Sequence, residues 1–119
     1  MNTSFTLSQI NGINVVGISG NILSDLDFEP IEIKIDEFIQ DGMINLILDL
    51  EKVALINSLG VKNLIKTFTK CRNAGGEMYI VNISEKINHV LMLTKLNAVL
   101  NIATSVKEAE QNILENNES

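Results

Sequence analysis

The stretch Ile44-Asn45-Leu46-Ile47-Leu48-Asp49-Leu50 constrains this chain more than any other. It is mainly apolar, so both of its faces need cover, and that is the pattern of a central strand in a sheet packed on both sides. Helical patterns flank it. Ahead of it, Gly20 to Glu29 reads as a loop, and Pro30 suits the first turn of a helix. Ile31, Ile35, Phe38 and Ile39 then fall at i, i+4, i+7 and i+8 on one apolar stripe, and Gly42 stops the run. Behind the strand, a helix opening at about Ser58 puts Val61, Leu64, Ile65, Phe68 and Cys71 on one face. Its Lys62, Lys66, Lys70 and Arg72 lie largely elsewhere, and Ala74-Gly75-Gly76 ends it.

The same alternation holds along most of the chain. Thr3 to Ile10 is a weak strand, Asn11-Gly12 a tight turn, and Ile13 to Ser19 a strand with β-branched Val15, Val16 and Ile18, so the chain opens with an antiparallel hairpin. Glu77 to Asn82 is a further strand. Ser84 caps a helix with apolar Ile87, Val90, Leu91 and Leu93, and Val99 to Ala103 is a short last strand. Ser105 caps a final helix striped by Val106, Ala109 and Ile113, with Glu108 at the capping-box position. From Ile13 onward strand and helix alternate, which specifies an α/β domain: a mixed, mostly parallel sheet with an antiparallel N-terminal hairpin, packed by about four helices. The domain spans residues 1–114, and residues 115–119 read as a flexible tail. Parallel sheets put functional loops at the carboxyl ends of their strands. The two loops of interest are Gly20 to Ser24 and Val53 to Ser58, candidates for one shared surface on one sheet edge.

Composition narrows the function. At 119 residues the chain suits one domain large enough for a core without metal or disulfide staples. A net charge of −6 and a pI of about 4.6 disfavour nucleic acid or an anionic membrane surface as ligand, and the few basic residues form no block. Cys71 is the one cysteine, so neither an internal disulfide nor a cysteine-based zinc site can be built. Met1 to Ile10 has no charged segment followed by an apolar run, and no uncharged apolar run approaches the roughly 18 residues of a membrane span. The expected compartment is the cytoplasm, with no membrane insertion.

No constellation for catalysis emerges, and no cofactor or metal is implied. His89 is the one histidine and falls on a helix as a surface or boundary residue. Cys71 belongs to an apolar stripe, as a packed thiol. Asp25, Asp27 and Glu29 lack the central glycine and terminal glutamate of a calcium loop and complement a helix dipole instead. Asp49 ends a central strand like the phospho-accepting aspartate of a receiver domain. The segment after Ile18, Ser19-Gly20-Asn21-Ile22, lacks the acid pair that such a site needs for Mg²⁺. Ser58 differs by its setting, where a strand gives way to a helix. It is either the N-cap itself or, if Asn57 takes that role, a first-turn residue with its hydroxyl outward. Both positions tolerate a phosphate, because helix N-termini present unpaired N–H groups and a positive dipole end. Leu59, Gly60 and Val61 beside it make a thin, apolar patch.

An ordered set of segments then resembles a known family. Gly20-Asn21-Ile22, Leu46 to Leu50 followed by Ile56-Asn57-Ser58-Leu59-Gly60, Ala74-Gly75-Gly76-Glu77, Leu93-Thr94-Lys95-Leu96 and Ser105-Val106-Lys107-Glu108-Ala109 are similar to the anti-sigma factor antagonists, which are STAS domains. The resemblance implies a non-enzymatic protein that acts by partner switching. Unphosphorylated, it binds an anti-sigma factor that is also a serine kinase of the histidine-kinase-like ATPase type. Phosphorylation releases it, and a serine phosphatase restores it. Ser58 stands at the acceptor position, and Gly20, Asn21, Ile22, Leu23, Ser24, Asn57, Leu59, Gly60 and Val61 stand at the implied partner-binding positions. Three residues depart from the family pattern: Asn57 replaces an aspartate, Leu59 a second hydroxyl residue, and Leu23 a common aspartate. The alternative implied function is a STAS scaffold or transport-complex subunit that binds constitutively without being phosphorylated.

Overall fold

The computed structural model describes residues 3–118. Strand β1 (Ser4–Ile10) turns through Asn11 and Gly12 into β2 (Ile13–Ile22), and both turn residues take positive φ, 49° and 80°, as a two-residue hairpin requires. There follow α1 (Asp25–Gln40), β3 (Leu46–Ile56), α2 (Ser58–Asn73), β4 (Met78–Val81), α3 (Glu85–Leu93), a short 3-10 turn (Leu96–Ala98), β5 (Asn101–Ala103) and α4 (Val106–Glu118). The last helix thus runs past Leu114, where the sequence alone sets the end of the domain.

The five strands lie in sequential order, β1 antiparallel to β2 and all other pairs parallel. One face of the sheet carries Val16, Ile18, Leu46, Leu48 and Ile80 into a core shared with Phe28, Ile31, Ile35, Leu64, Phe68, Ile87 and Leu91, so α1, α2 and α3 all cover that face. The alternate strand residues Ile13, Val15, Ile47 and Val81 meet Ala109 and Ile113 of α4 on the opposite face. Period-two alternation in the strands divides the two cores.

Three expectations are corrected. First, α1 begins at Asp25 rather than at Pro30. Ser24 Oγ accepts the Asp27 N–H at 3.1 Å, and the Asp27 carboxylate accepts the Leu23 N–H at 3.0 Å, so the start is fixed upstream by reciprocal capping. Pro30 sits in the second turn, where it leaves the Leu26 carbonyl without its usual i+4 donor. Second, Gly20–Ile22 and Val53–Ile56 are strand rather than loop. Register shifts between Gly17 and Ser19 and between Gly20 and Asn21 each insert one extra β3 residue. Each bulge resets the alternation, so Leu50, Val53 and Ile56, spaced by three, all stay on the core face. That spacing disguises the strand in the sequence. Third, Leu93 and Val99 are exposed rather than in an apolar stripe and a strand, because α3 is closed by Thr94 and the chain turns through Leu96–Ala98 before β5.

Candidate functional site

The carboxyl ends of β2 and β3 are neighbours, with Asn21 opposite Leu55 and Ile22 opposite Ile56. Each feeds a helix, so the N-termini of α1 and α2 emerge side by side. Asn57 joins them. Its Oδ1 accepts the Gly60 N–H at 3.0 Å, making it the N-cap of α2, and its Nδ2 donates to the Leu23 carbonyl at 2.9 Å. The two segments singled out by sequence are therefore one hydrogen-bonded unit. An aspartate at this position could supply the cap but not the donor, so the asparagine has a structural role of its own.

With Asn57 as cap, Ser58 becomes the first residue of α2 rather than the cap. Its side chain is exposed, and its hydroxyl enters none of the hydrogen bonds among the described residues. The Gly60 N–H is engaged by Asn57, and the Val61 N–H by the Asn57 carbonyl at 2.9 Å. The N–H groups of Ser58 and Leu59 are left without intrahelical acceptors, beside a free hydroxyl. Lys62, one turn along, lines the same shallow depression as Ser58, Val61, Ile65, Thr94 and Leu96. Its ammonium lies 3.7 Å from Asp25, an exposed pair that holds it only weakly.

The implied partner-binding residues divide by burial. Leu23, Asn57 and Leu59 are exposed; Gly20, Asn21 and Ser24 are half-buried. Ile22, Gly60 and Val61 lie beneath the surface as its floor. Gly60 is there because a Cβ would meet the Ile22 carbonyl oxygen at 2.2 Å and Ile56 Cγ1 at 2.6 Å. Only glycine lets α2 start so close to β2. Leu26, 76% exposed, and Leu55, 45% exposed, add apolar surface at the same end, and sequence reasoning did not single them out. Leu26 was hidden by the misplaced start of α1, and Leu55 by the bulged strand.

The other chemistry-bearing residues lie elsewhere. Cys71 is fully buried, and burial pushes its thiol up to about 12, so the thiolate is not formed near neutral pH. His89 is exposed on α3 and lines an open, mainly apolar groove with Ala54, Leu55, Ile56, Ile87 and Val90, to which Glu85 and Lys86 add the charged groups. Asp49 Oδ1 accepts from Asn82 Nδ2 at 3.1 Å and from the Glu51 N–H at 3.0 Å, a strand-end brace. Among the described residues no group of three or more His, Cys, Asp or Glu could hold a metal ion, and no helix is long and apolar enough to cross a membrane.

The sequence pattern of the STAS domain family matches residues 4–109. A Thermotoga maritima protein described as an anti-sigma factor antagonist is 28% identical over 78 residues, covering 66% of this chain and 69% of that protein. An anti-sigma factor antagonist from Mycobacterium paratuberculosis superposes with a TM-score of 0.78 at 23% identity, covering 93% of each chain. The Bacillus cell fate determinant SpoIIAA in its phosphorylated form gives 0.70 at 20% identity, covering 92% of this chain and 99% of that one. At these identities the structural likeness is one of fold.

Proposed function

The chain belongs to the STAS domain family, its match running from residue 4 to residue 109, and on that premise we propose that it is an anti-sigma factor antagonist that switches partners through Ser58. The observation that carries the reading is the setting of Ser58: an exposed, unbonded hydroxyl at the first position of α2, at the end of the sheet where Leu23, Leu26 and Leu59 are exposed. The partner is an anti-sigma factor that is also an ATP-dependent serine kinase, and a serine phosphatase reverses the modification. Leu23, Asn57, Ser58 and Leu59 make contact, Gly20, Asn21 and Ser24 form the flank, and Ile22, Gly60 and Val61 shape the surface from below. The protein itself supplies no catalysis, and it works in the cytoplasm with its partners.

The physics of the switch follows from the geometry. Phosphorylation adds about −1.5 to −2 charges. The free N–H groups of Ser58 and Leu59 and the nearby Lys62 can receive the phosphate, so the domain stays folded. At a docked interface the same group must be desolvated among leucines or repelled. A loss of about 4 kcal/mol is a thousandfold in affinity, enough to release a partner.

The test is incubation with the cognate kinase and ATP, read by intact mass. One phosphate, abolished in Ser58→Ala, is expected. Absence of phosphate, or phosphate that persists in Ser58→Ala, overturns the switch. Ser58→Asp is expected to weaken partner binding by at least tenfold, and unchanged affinity would remove Ser58 from the interface. A second reading, a constitutive interaction module, is favoured by Asn57, whose side chain is committed to tying the two loops together. Binding that is indifferent to ATP and to every Ser58 substitution would select it.

A further inference from the structure

The sheet has two edges, and the chain treats them differently. β5 is only three residues long, which leaves little backbone for another strand to pair with. β1 is seven residues long, Ser4–Ile10, and has none of the devices that guard an edge: no proline, no charged side chain, no bulge in its pairing with β2. The absence of charge extends through the hairpin. All nine basic and fifteen acidic residues lie from Asp25 onward. In a chain of net charge −6, this uncharged hairpin is the region that two copies can bring together without setting like charges face to face.

The register of the hairpin says which backbone groups face outward. A two-residue turn makes Ile10 and Ile13 a hydrogen-bonded pair, and the alternation of an antiparallel ladder then directs Ser8 and Thr6 inward to Val15 and Gly17. The N–H and C=O groups of Phe5, Leu7 and Gln9 are left pointing away from the sheet. These positions are self-complementary. Antiparallel pairing about a two-fold axis at Leu7 sets Leu7 against Leu7 of a second copy and Phe5 against Gln9, giving about six intermolecular hydrogen bonds. Leu7, 46% exposed, meets its own counterpart across the axis. On the other face, Ser4, Thr6 and Ser8 are exposed and uncharged, so nothing there opposes approach.

We propose that the β1 edge is a homodimer interface, at which a second copy of this chain adds its own β1 antiparallel about Leu7 to form a continuous ten-stranded sheet. Phe5, Leu7 and Gln9 lie along the β1 edge, whereas Ser58 opens α2 after β3, two places away in the strand order, so the pairing does not use Ser58.

Sedimentation equilibrium of the full chain, from micromolar to millimolar concentration, tests it. The native chain is expected to approach twice 13.1 kDa at the upper end. Leu7→Lys places two like charges across the axis and is expected to weaken association at least tenfold, with an unchanged circular dichroism spectrum. Amide exchange keeps the idea testable even if that variant unfolds: the amides of Phe5, Leu7 and Gln9 gain protection with concentration in the native chain. A native chain that stays monomeric throughout, a dimer in which those amides exchange freely, or a folded Leu7→Lys that associates as before overturns the proposal.

Discussion

At the scale of single residues, Asn57 and Gly60 do the positioning that Ser58 depends on. Asn57 spends its acceptor on the Gly60 N–H and its donor on the Leu23 carbonyl. Asn57→Ala removes both and is expected to cost about 1–2 kcal/mol. Asn57→Asp keeps the cap and gains from the helix dipole, but loses the bond to Leu23 and sets a carboxylate beside its carbonyl. Stability in urea is therefore expected to fall less for Asn57→Asp than for Asn57→Ala, while Leu23 and Ser24 exchange their amide protons faster in both. Equal stability of the two variants would mean that the cap and the dipole do not outweigh the carboxylate set against the Leu23 carbonyl. Gly60→Ala, with its Cβ against the Ile22 carbonyl, is expected to cost about 3 kcal/mol, at the upper end for overpacking.

At the scale of elements, α1 and α2 are held edge to edge by charge as well as by packing. Lys70 Nζ lies 2.9 Å from Glu32 and 3.0 Å from Asp36, and Lys66 Nζ lies 2.9 Å from Glu32. Hydrogen bonds from Lys66 and then Lys70 hold the Glu32 carboxyl below the usual range, against an opposing effect of burial. Burial pulls Lys70 down, but its hydrogen bonds to Glu32 and Asp36 outweigh it and leave the ammonium above the usual lysine value. A depressed carboxyl stabilises the fold above its unfolded pKa, and that stability is lost as pH falls through the folded value. A raised ammonium stabilises below its unfolded pKa and loses its effect only in alkali. In acid, then, Glu32 carries the pH dependence of this cluster. Glu32→Gln is expected to lower stability by about 0.5–1 kcal/mol at neutral pH and to flatten the decline in acid, as measured by urea unfolding across pH. An unchanged acid slope would show that the lysines do not lower the Glu32 pKa on folding. The stripes of both helices were legible in the sequence because 3.6-residue periodicity is local. The partnering of Glu32 with Lys66 and Lys70 was not, because it depends on which helices become neighbours.

At the scale of the whole molecule, sequential strand order and right-handed crossovers put α1, α2 and α3 on one face and leave the other to α4. This is what brings two helix N-termini to one end of the sheet and gives Ser58 its companions. The alternation of periods was enough to foresee the α/β fold and the antiparallel hairpin. Cover on both faces was legible in the apolar run around Leu46 and Ile47, but which helices cover which face was not, since these residues are equally apolar and only the pleat sends them to opposite faces. Nor was the length of β3, because its bulges replace period two with period three at Leu50, Val53 and Ile56. Two cores separated by a sheet should respond independently to small cavities. Ile35→Val on the face covered by three helices and Ile113→Val under α4 each remove one buried methylene and are expected to cost about 0.5–1.5 kcal/mol. Because the sites share no partner, the double variant should lose the sum to within about 0.5 kcal/mol by urea unfolding. A larger departure from additivity would mean that the sheet transmits packing from one face to the other. The surface around Ser58, which rests on β2 and β3, would then be coupled to α4 as well.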